Sequence, residues 1–250
     1  MESELAIEVI EACWNAPPQV KALCTTRAGG TSHSPYDSLN LATHVGDEVS
    51  AVMRNRELLC NGLNLPSEPA WLEQTHSTRV VNLVHDSNRL ADAAIAGKPG
   101  TVAAVMTADC LPILLCNRSG DEIAAIHAGW RGLSDGIIEA TVFGMQSSPD
   151  QMLAWIGPAI GQQYFEVGDE VRDIYVTQNN DAQNHFSANR PGHWLCDLGG
   201  LAADTLTRAG VTEINRSDLC SYRDESLFFS YRRNATTGRM VSLIWIEGQA

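Results

Sequence analysis

A thiol and an imidazole occupy two breaks in the apolar segment 101–132: Cys110 follows Asp109 after the run 102–106, and His127 closes the run 123–126. Brought together, these two groups support two kinds of chemistry. With a second imidazole, His76, they form a three-donor set that suits zinc, leaving a fourth position open as catalytic zinc sites do. Without metal, Cys110 is a nucleophile, His127 its base, and Asp109 or another acid the group that orients the base; His76 then has no role. The match of Gly132-Leu133-Ser134-Asp135-Gly136 to G-x-S-x-G is better explained by helix capping. An elbow serine sits directly on a strand-to-helix turn, whereas Ser134 stands several residues beyond the run 123–126. A His₂Cys set also binds type 1 copper. Multicopper oxidation, however, needs many more imidazoles, usually in His-x-His pairs, and the seven histidines here include no such pair. A P-loop, a G-x-G-x-x-G fingerprint and the H-x-E/P-C-x-x-C deaminase signature are absent as well.

The elements that must position these groups are short. Runs 102–106, 113–116 and 123–126 are too brief for helices and end in turn residues, so they are expected to be buried strands. Leu111-Pro112 is expected to interrupt the strand, because proline lacks an amide donor. Residues 117–121 (N-R-S-G-D) form a hairpin turn that folds the third run beside the second and carries His127 towards Cys110. Upstream, residues 21–26 read as a strand, and residues 49–60 as a helix stopped by Gly62, with Arg54, Asn55 and Arg56 facing outward or towards a site. Residues 71–76 and 79–84 read as a strand pair or one kinked strand with His76 at the junction, and 87–99 as a polar loop containing Asp92.

Downstream, Ser134 is expected to cap a helix bearing Ile137, Ile138, Val142 and Met145 on one face. Gly129-Trp130-Arg131-Gly132, leading into that helix, is a candidate anion pocket of backbone amides and a guanidinium. Residues 152–156 form a strand, Val167, Val171, Ile174 and Tyr175 mark a helix, and Leu198 to Ala209 mark another ending at Gly210. Residues 178–194 read as an exposed loop, and 228–231 and 240–246 as strands. Interleaved helices and hairpin-linked strands predict an α+β fold: a single layered domain, residues 1–250, of mixed β-sheets flanked by helices.

Composition narrows the function. A hydrophobic content of 44% with 19% charged residues is that of a globular chain. A net charge of −13 argues against nucleic-acid and anionic-membrane partners, which attract a positive field. Seven cysteines without a spacing pattern suggest a reducing compartment. The acidic start M-E-S-E-L lacks the basic opening of a secretory signal, so a cytoplasmic protein is expected.

Three motifs, Q-T-H-S at 74–77, T-A-D-C-L-P at 107–112 and H-A-G-W-R-G at 127–132, together resemble the YfiH-type, or laccase-domain, family. T-T-R-A-G-G at 25–30, S-L-N-L-A-T-H-V-G-D at 38–47, G-P-A-I-G at 157–161, F-E-V-G at 165–168 and T-G-R-M at 237–240 extend the resemblance along nearly the whole chain. Gln162-Gln163-Tyr164 departs from it, replacing a cysteine-containing stretch common in relatives. The resemblance implies a layered fold akin to the catalytic domain of cytotoxic necrotizing factor deamidases, and zinc held by His76, Cys110 and His127, for which the donor set leaves copper as the alternative. It implies a purine nucleoside phosphorylase for adenosine, inosine, guanosine and methylthioadenosine, with adenosine deamination as a side activity. Members also carry the names polyphenol oxidase and peptidoglycan editing factor, so a cysteine/histidine amidohydrolase acting on cell-wall precursors is the second reading. A binding protein without turnover is the third. For the first, Cys110, His127, Asp109 and Arg131 are the expected catalytic residues, with Asp109 or His44 carrying a proton. Arg27, Asn40, His44 and Arg56 are expected to bind nucleoside and phosphate, in a monomer or weak dimer.

Overall fold

The computed structural model describes residues 7–248 of the chain. Its elements run β1 (Val9–Glu11), β2 (Val20–Thr25), α1 (Val49–Gly62), β3 (Val80–Asn82), β4 (Ala93–Ala96), β5 (Val102–Thr107), β6 (Leu111–Asn117) and β7 (Ile123–Ala128). There follow α2 (Trp130–Asp135), α3 (Ile137–Gly144), β8 (Met152–Ile156), β9 (Glu166–Gly168), α4 (Asp169–Gln178), β10 (Phe186–Arg190), β11 (His193–Cys196), α5 (Leu198–Arg208), β12 (Glu213–Arg216) and β13 (Met240–Ile246). The strands make three sheets, ordered β12-β8-β6-β7-β4-β3, β1-β2-β13-β5 and β10-β11-β9. The α+β class is as expected, with parallel and antiparallel pairs mixed in the largest sheet.

Period-two alternation sorts the core into layers. From β6 and β7, Ile113, Leu115, Ala124 and Ile126 point to one core with Ile137, Ile138, Leu201 and Leu206 of the helices. Leu114, Cys116, Ile123 and Ala125 point the other way, onto Ala103, Val105, Met240 and Ile244 of the four-stranded sheet. That sheet turns Val102, Ala104, Val241 and Leu243 to a third core closed by Leu59 of α1 and by Leu39 and Leu41. The two large sheets are thus sandwiched between helices. Being buried on both faces explains the unbroken apolar runs of β6 and β7. Each fully buried Ile or Leu there contributes on the order of 2 kcal/mol.

Several expectations are corrected. The chain breaks at Ala108–Cys110, and Pro112 lies inside β6, near the sheet's end, where a missing ladder donor is tolerated. Residues 71–76 form no strand; isolated bridges at Ala70 and Glu73 hold the segment, and His76 takes a left-handed φ of 60°. The presumed polar loop 87–99 contains β4, hidden because alanine is a poor strand signal. The expected loop 178–194 contains β10 and the first half of β11, joined by a turn at Pro191-Gly192. Residues 228–231 do not pair; Phe228 and Phe229 are apolar because they plug the space between sheets. Ser134 lies inside α2 and its hydroxyl donates to the Arg131 carbonyl, so it caps nothing. The next helix starts after Gly136, whose φ of 98° breaks the axis. Asn55 of α1 is fully buried rather than outward.

Candidate metal centre

One end of the six-stranded sheet gathers the chemistry. Antiparallel pairing sets Leu111 opposite Ala128 and Pro112 opposite His127, so Cys110, one residue before β6, lies beside the end of β7. Ala93 pairs with Ile126, which brings Asp92, just ahead of β4, against His127. Val80 pairs with Ala93, which delivers the 75–77 turn to the same corner. The ligand atoms of His76, Cys110 and His127 all lie within 4.8 Å of one another, the one such His/Cys/Asp/Glu group among the described residues. The Cys110 Sγ to His76 Nε2 separation is 3.7 Å. Zinc bond lengths at a tetrahedral angle require roughly 3.5 Å between a sulfur and a nitrogen donor, so the set fits a metal ion.

Asp92 is fully buried and holds this corner together. Its Oδ1 accepts from the His76 amide at 3.0 Å and faces His127 Nδ1 at 2.8 Å. Its Oδ2 accepts from the amides of Thr75 at 3.1 Å and Ser77 at 2.6 Å, and from the Ser77 hydroxyl at 2.7 Å. The carboxylate fixes the proton of His127 on Nδ1 and leaves Nε2 to face the thiol, the usual outer partner of a metal-bound histidine. Burial alone would raise the Asp92 pKa, but hydrogen bonds from His127 and Ser77 overcome it and hold the group well below the ordinary carboxylate range. Burial likewise raises the Cys110 thiol, yet the His127 charge and hydrogen bonds from both imidazoles bring it down to about 6. His127 shows the reverse: burial lowers it, and Cys110 and Asp92 raise it to about 9. Gly129 is needed for close approach, since a Cβ there would stand 2.7 Å from His76 Cδ2 and 3.0 Å from Cys110 Sγ.

The three donors open into a cavity of about 450 Å³ walled by Met106, Trp130, Ile160, Phe165 and Tyr231, with His44, Gln74, Thr107, Asp109, Arg232 and Arg239 as its other polar lining. Apolar walls with a few convergent polar groups are the make-up of a small-molecule site. Of the expected substrate residues, only His44 lines it. Partial burial and the charges of Arg239 and Arg56 hold the His44 pKa below its ordinary value. Arg27 is spent on the Asp37 carbonyl and carboxylate and the Glu225 carbonyl, and lies over the Phe229 ring. Arg56 donates twice to the Leu41 carbonyl and stacks on Trp71. Asn40 is fully buried, binding Ala42, Asp47 and the Arg239 amide. Arg131 is exposed and stacks on Trp130 at 4.1 Å, outside the lining. The expected anion pocket at Gly129–Gly132 therefore has its guanidinium turned elsewhere.

Asp109 does line the cavity, at a φ of 98°, but Oδ1 accepts from the Ser221 hydroxyl at 2.6 Å and Oδ2 from the Arg232 amide at 2.7 Å. Two cavity arginines had not been expected. Arg232 is tied to the carbonyls of Tyr164 and Glu166. The Nη1 of Arg239 donates to the Thr237 and Gly238 carbonyls; no described residue accepts from its Nε or Nη2. Its signal in the chain was the T-G-R-M motif, which carries no spacing that points to a site. Gln162 of the departing segment lies at a separate, polar cleft bordered by Arg216 and Cys220.

Fold and site define a laccase-domain protein. The chain belongs to the family described as multi-copper polyphenol oxidoreductase laccase, whose model matches residues 21–247. It is 48% identical over 235 residues to the purine nucleoside phosphorylase YfiH of Escherichia coli (strain K12), covering 93% of this chain and 96% of that protein. A purine nucleoside phosphorylase of Haemophilus influenzae is 46% identical over 244 residues, covering 96% and 100%. Among solved structures, Neisseria meningitidis protein NMB0706 superposes with a TM-score of 0.92 at 45% identity, covering 96% of this chain and 99% of that one. YlmD from Geobacillus stearothermophilus gives 0.87 at 30%, covering 98% and 100%.

Proposed function

We propose that the protein is a zinc-dependent purine nucleoside phosphorylase of a reducing, cytoplasmic compartment. The observation that carries this reading is the convergence of three metal-type donors and one underused guanidinium on a single aromatic-walled cavity. Trp130, Phe165 and Tyr231 offer flat faces for a purine. Phosphorolysis needs a phosphate aimed at the anomeric carbon while the ribose becomes cationic. Arg239, in place of the expected Arg131, Arg56 and Arg27, is the group with free donors to hold that anion. His44 beside it, with its pKa lowered, supplies a neutral imidazole that can donate or accept a hydrogen bond. Zinc on His76, Cys110 and His127 supplies a Lewis acid that polarises an oxygen of phosphate or water. Asp109, with both oxygens already accepting, positions the Arg232 segment rather than carrying a proton. The seven cysteines are all unpaired, in keeping with a reducing compartment. Adenosine deamination is the side activity the same donors would support. Incubation of the zinc-loaded protein with inosine and phosphate is expected to release hypoxanthine and ribose 1-phosphate; neither product appearing overturns phosphorolysis.

One observation favours a second reading. Asp92, His127 and Cys110 stand in the order acid, imidazole, thiol, which is the arrangement of a metal-free thiol hydrolase, with Asp92 rather than Asp109 as the orienting acid. Activity on amide substrates that survives chelation but not alkylation of Cys110 would select it.

A further inference from the structure

We infer that Asp92 is the positioning residue that assembles the metal centre, by holding two of its three ligands from different parts of the chain. The inference rests on reading the three donors as a metal site. Cys110 needs no help, because it directly precedes β6, whose first residue Leu111 is paired with Ala128, but the other two donors each carry a structural problem. The ring of His127 would be free to carry its proton on either nitrogen. His76 lies on no strand or helix and adopts a left-handed backbone at φ 60°, which disfavours a residue with a Cβ. One carboxylate answers both. The amides of Thr75, His76 and Ser77 converge on it as a nest of successive N–H groups around an anion, and this stabilises the left-handed turn at His76. The same carboxylate accepts from His127 Nδ1 at 2.8 Å, and the Asp92 carbonyl accepts from the His127 amide at 2.7 Å.

Five donors on two oxygens leave no room for an amide in this position. An asparagine offers one acceptor oxygen and turns an NH₂ group towards two or three of the donors that Asp92 now satisfies. Asp92→Asn therefore preserves the shape of the side chain and removes what holds both imidazoles. No other acid takes over: Asp109, near the same cavity, is held by Ser221 and Arg232. The roles of the two acids are thereby separated, Asp92 building the ligand corner and Asp109 anchoring the opposite loop.

The test uses the full chain stripped of metal. Zinc affinity is measured by competition with a chromophoric chelator, the thiolate-to-metal band is followed on cobalt loading, and amide hydrogen exchange is followed at residues 75–77. Outer-partner substitutions cost roughly 10–100-fold in metal affinity. Because Asp92 serves two ligands, Asp92→Asn is expected to fall at the upper end or beyond, with a weakened cobalt band and faster exchange at 75–77 in the metal-free state. Unchanged affinity, or unchanged exchange, overturns the inference. Should Asp92→Asn fail to fold, Ser77→Ala decides: removing the hydroxyl's bond to Asp92 Oδ2 and the longer one it accepts from the Arg79 amide, while leaving the three backbone amides on the carboxylate, it is expected to lose a few-fold in affinity, and no loss overturns the inference. Wild-type protein that binds no metal defeats the metal reading itself, while the exchange comparison still decides whether Asp92 holds the turn.

Discussion

The two walls of the cavity are built on different principles. The donor wall consists of strand ends: Cys110 before β6, His127 in β7, and the 75–77 turn clamped by Asp92 ahead of β4. Its rigidity comes from a sheet buried on both faces. The opposite wall, which carries His44, Tyr231, Arg232 and Arg239, has no regular structure over the segments that supply these residues. It is held by arginine and asparagine side chains bonded to backbone: Arg56 to Leu41, Arg27 to Asp37 and Glu225, Arg233 to Ser221, Tyr222 and Phe228, and Asn40 to Arg239. The arginines expected to grip substrate are instead the frame of the loop wall. The proposed function puts chemistry on the rigid side and anion recognition on the laced side, so damage to each should read out differently.

The largest effect is expected on the donor wall. Cys110→Ala should abolish stoichiometric zinc and lower phosphorolysis by about 10³–10⁴-fold, the scale on which removing a group central to the chemistry acts. Gly129→Ala should lose zinc as well, without touching a ligand, because its new Cβ would press on His76 and Cys110. Metal analysis alongside inosine turnover checks both; activity retained with zinc lost would break the assignment of chemistry to this wall. On the laced wall, Arg239→Ala should keep its zinc and raise the KM for phosphate, for a loss of about 10–100-fold in kcat/KM, the worth of one charge-assisted contact. Loss of zinc in that variant would show that the walls are not separable.

This asymmetry also explains what was legible in the chain. The runs around Cys110 and His127 announce buried strands, and the N-R-S-G-D turn places their ends together, so the thiol-imidazole corner follows from local pattern. His76 was legible only by residue type, as a second imidazole at the junction of an expected strand pair, since no periodicity marks a residue at a left-handed turn. Asp92 was hidden because A-D-A-A-I-A looks like loop: alanine signals a strand weakly, and an acid there looks solvated until its five donors are seen. Arg239 was hidden because a loop stitched by side-chain to backbone hydrogen bonds has no repeat to read. Residue type alone could not tell a guanidinium facing ligand from one holding up a carbonyl, which is why Arg27, Arg56 and Arg131 were expected in the wrong place.

Titration sharpens the donor wall further. In metal-free protein, Cys110 is depressed from an ordinary 9.0 to about 6, so the stability it contributes is present above pH 9 and lost as pH falls through about 6. His127 is raised from 6.5 to about 9, so its contribution is present below pH 6.5 and lost as pH rises through about 9. A thiolate-imidazolium pair therefore persists between about pH 6 and 9. The alkylation rate of Cys110, followed in a Cys13→Ser background because Cys13 is exposed, should show a midpoint near pH 6. The midpoint should climb towards the ordinary thiol value in His127→Ala, and a midpoint that stays put would remove His127 as the cause.

The smallest effect is the most discriminating for the comparison of walls. Arg131 lies in the H-A-G-W-R-G motif, four residues after a metal-type ligand, and its charge suits phosphate, yet it is exposed and stacked on Trp130. An exposed cation-π contact of this kind contributes roughly 0.5–1 kcal/mol. Trp130 is also held from beneath, its carbonyl accepting from the Tyr175 hydroxyl at 2.6 Å, so removing the guanidinium should leave the aromatic wall in place. Arg131→Ala should accordingly change the KM for phosphate by less than about 3-fold, since only the stacking on Trp130 is lost. If steady-state kinetics show it raising that KM as much as Arg239→Ala does, the anion is held at the start of α2, on the donor wall, and the division between a chemical side and a binding side falls.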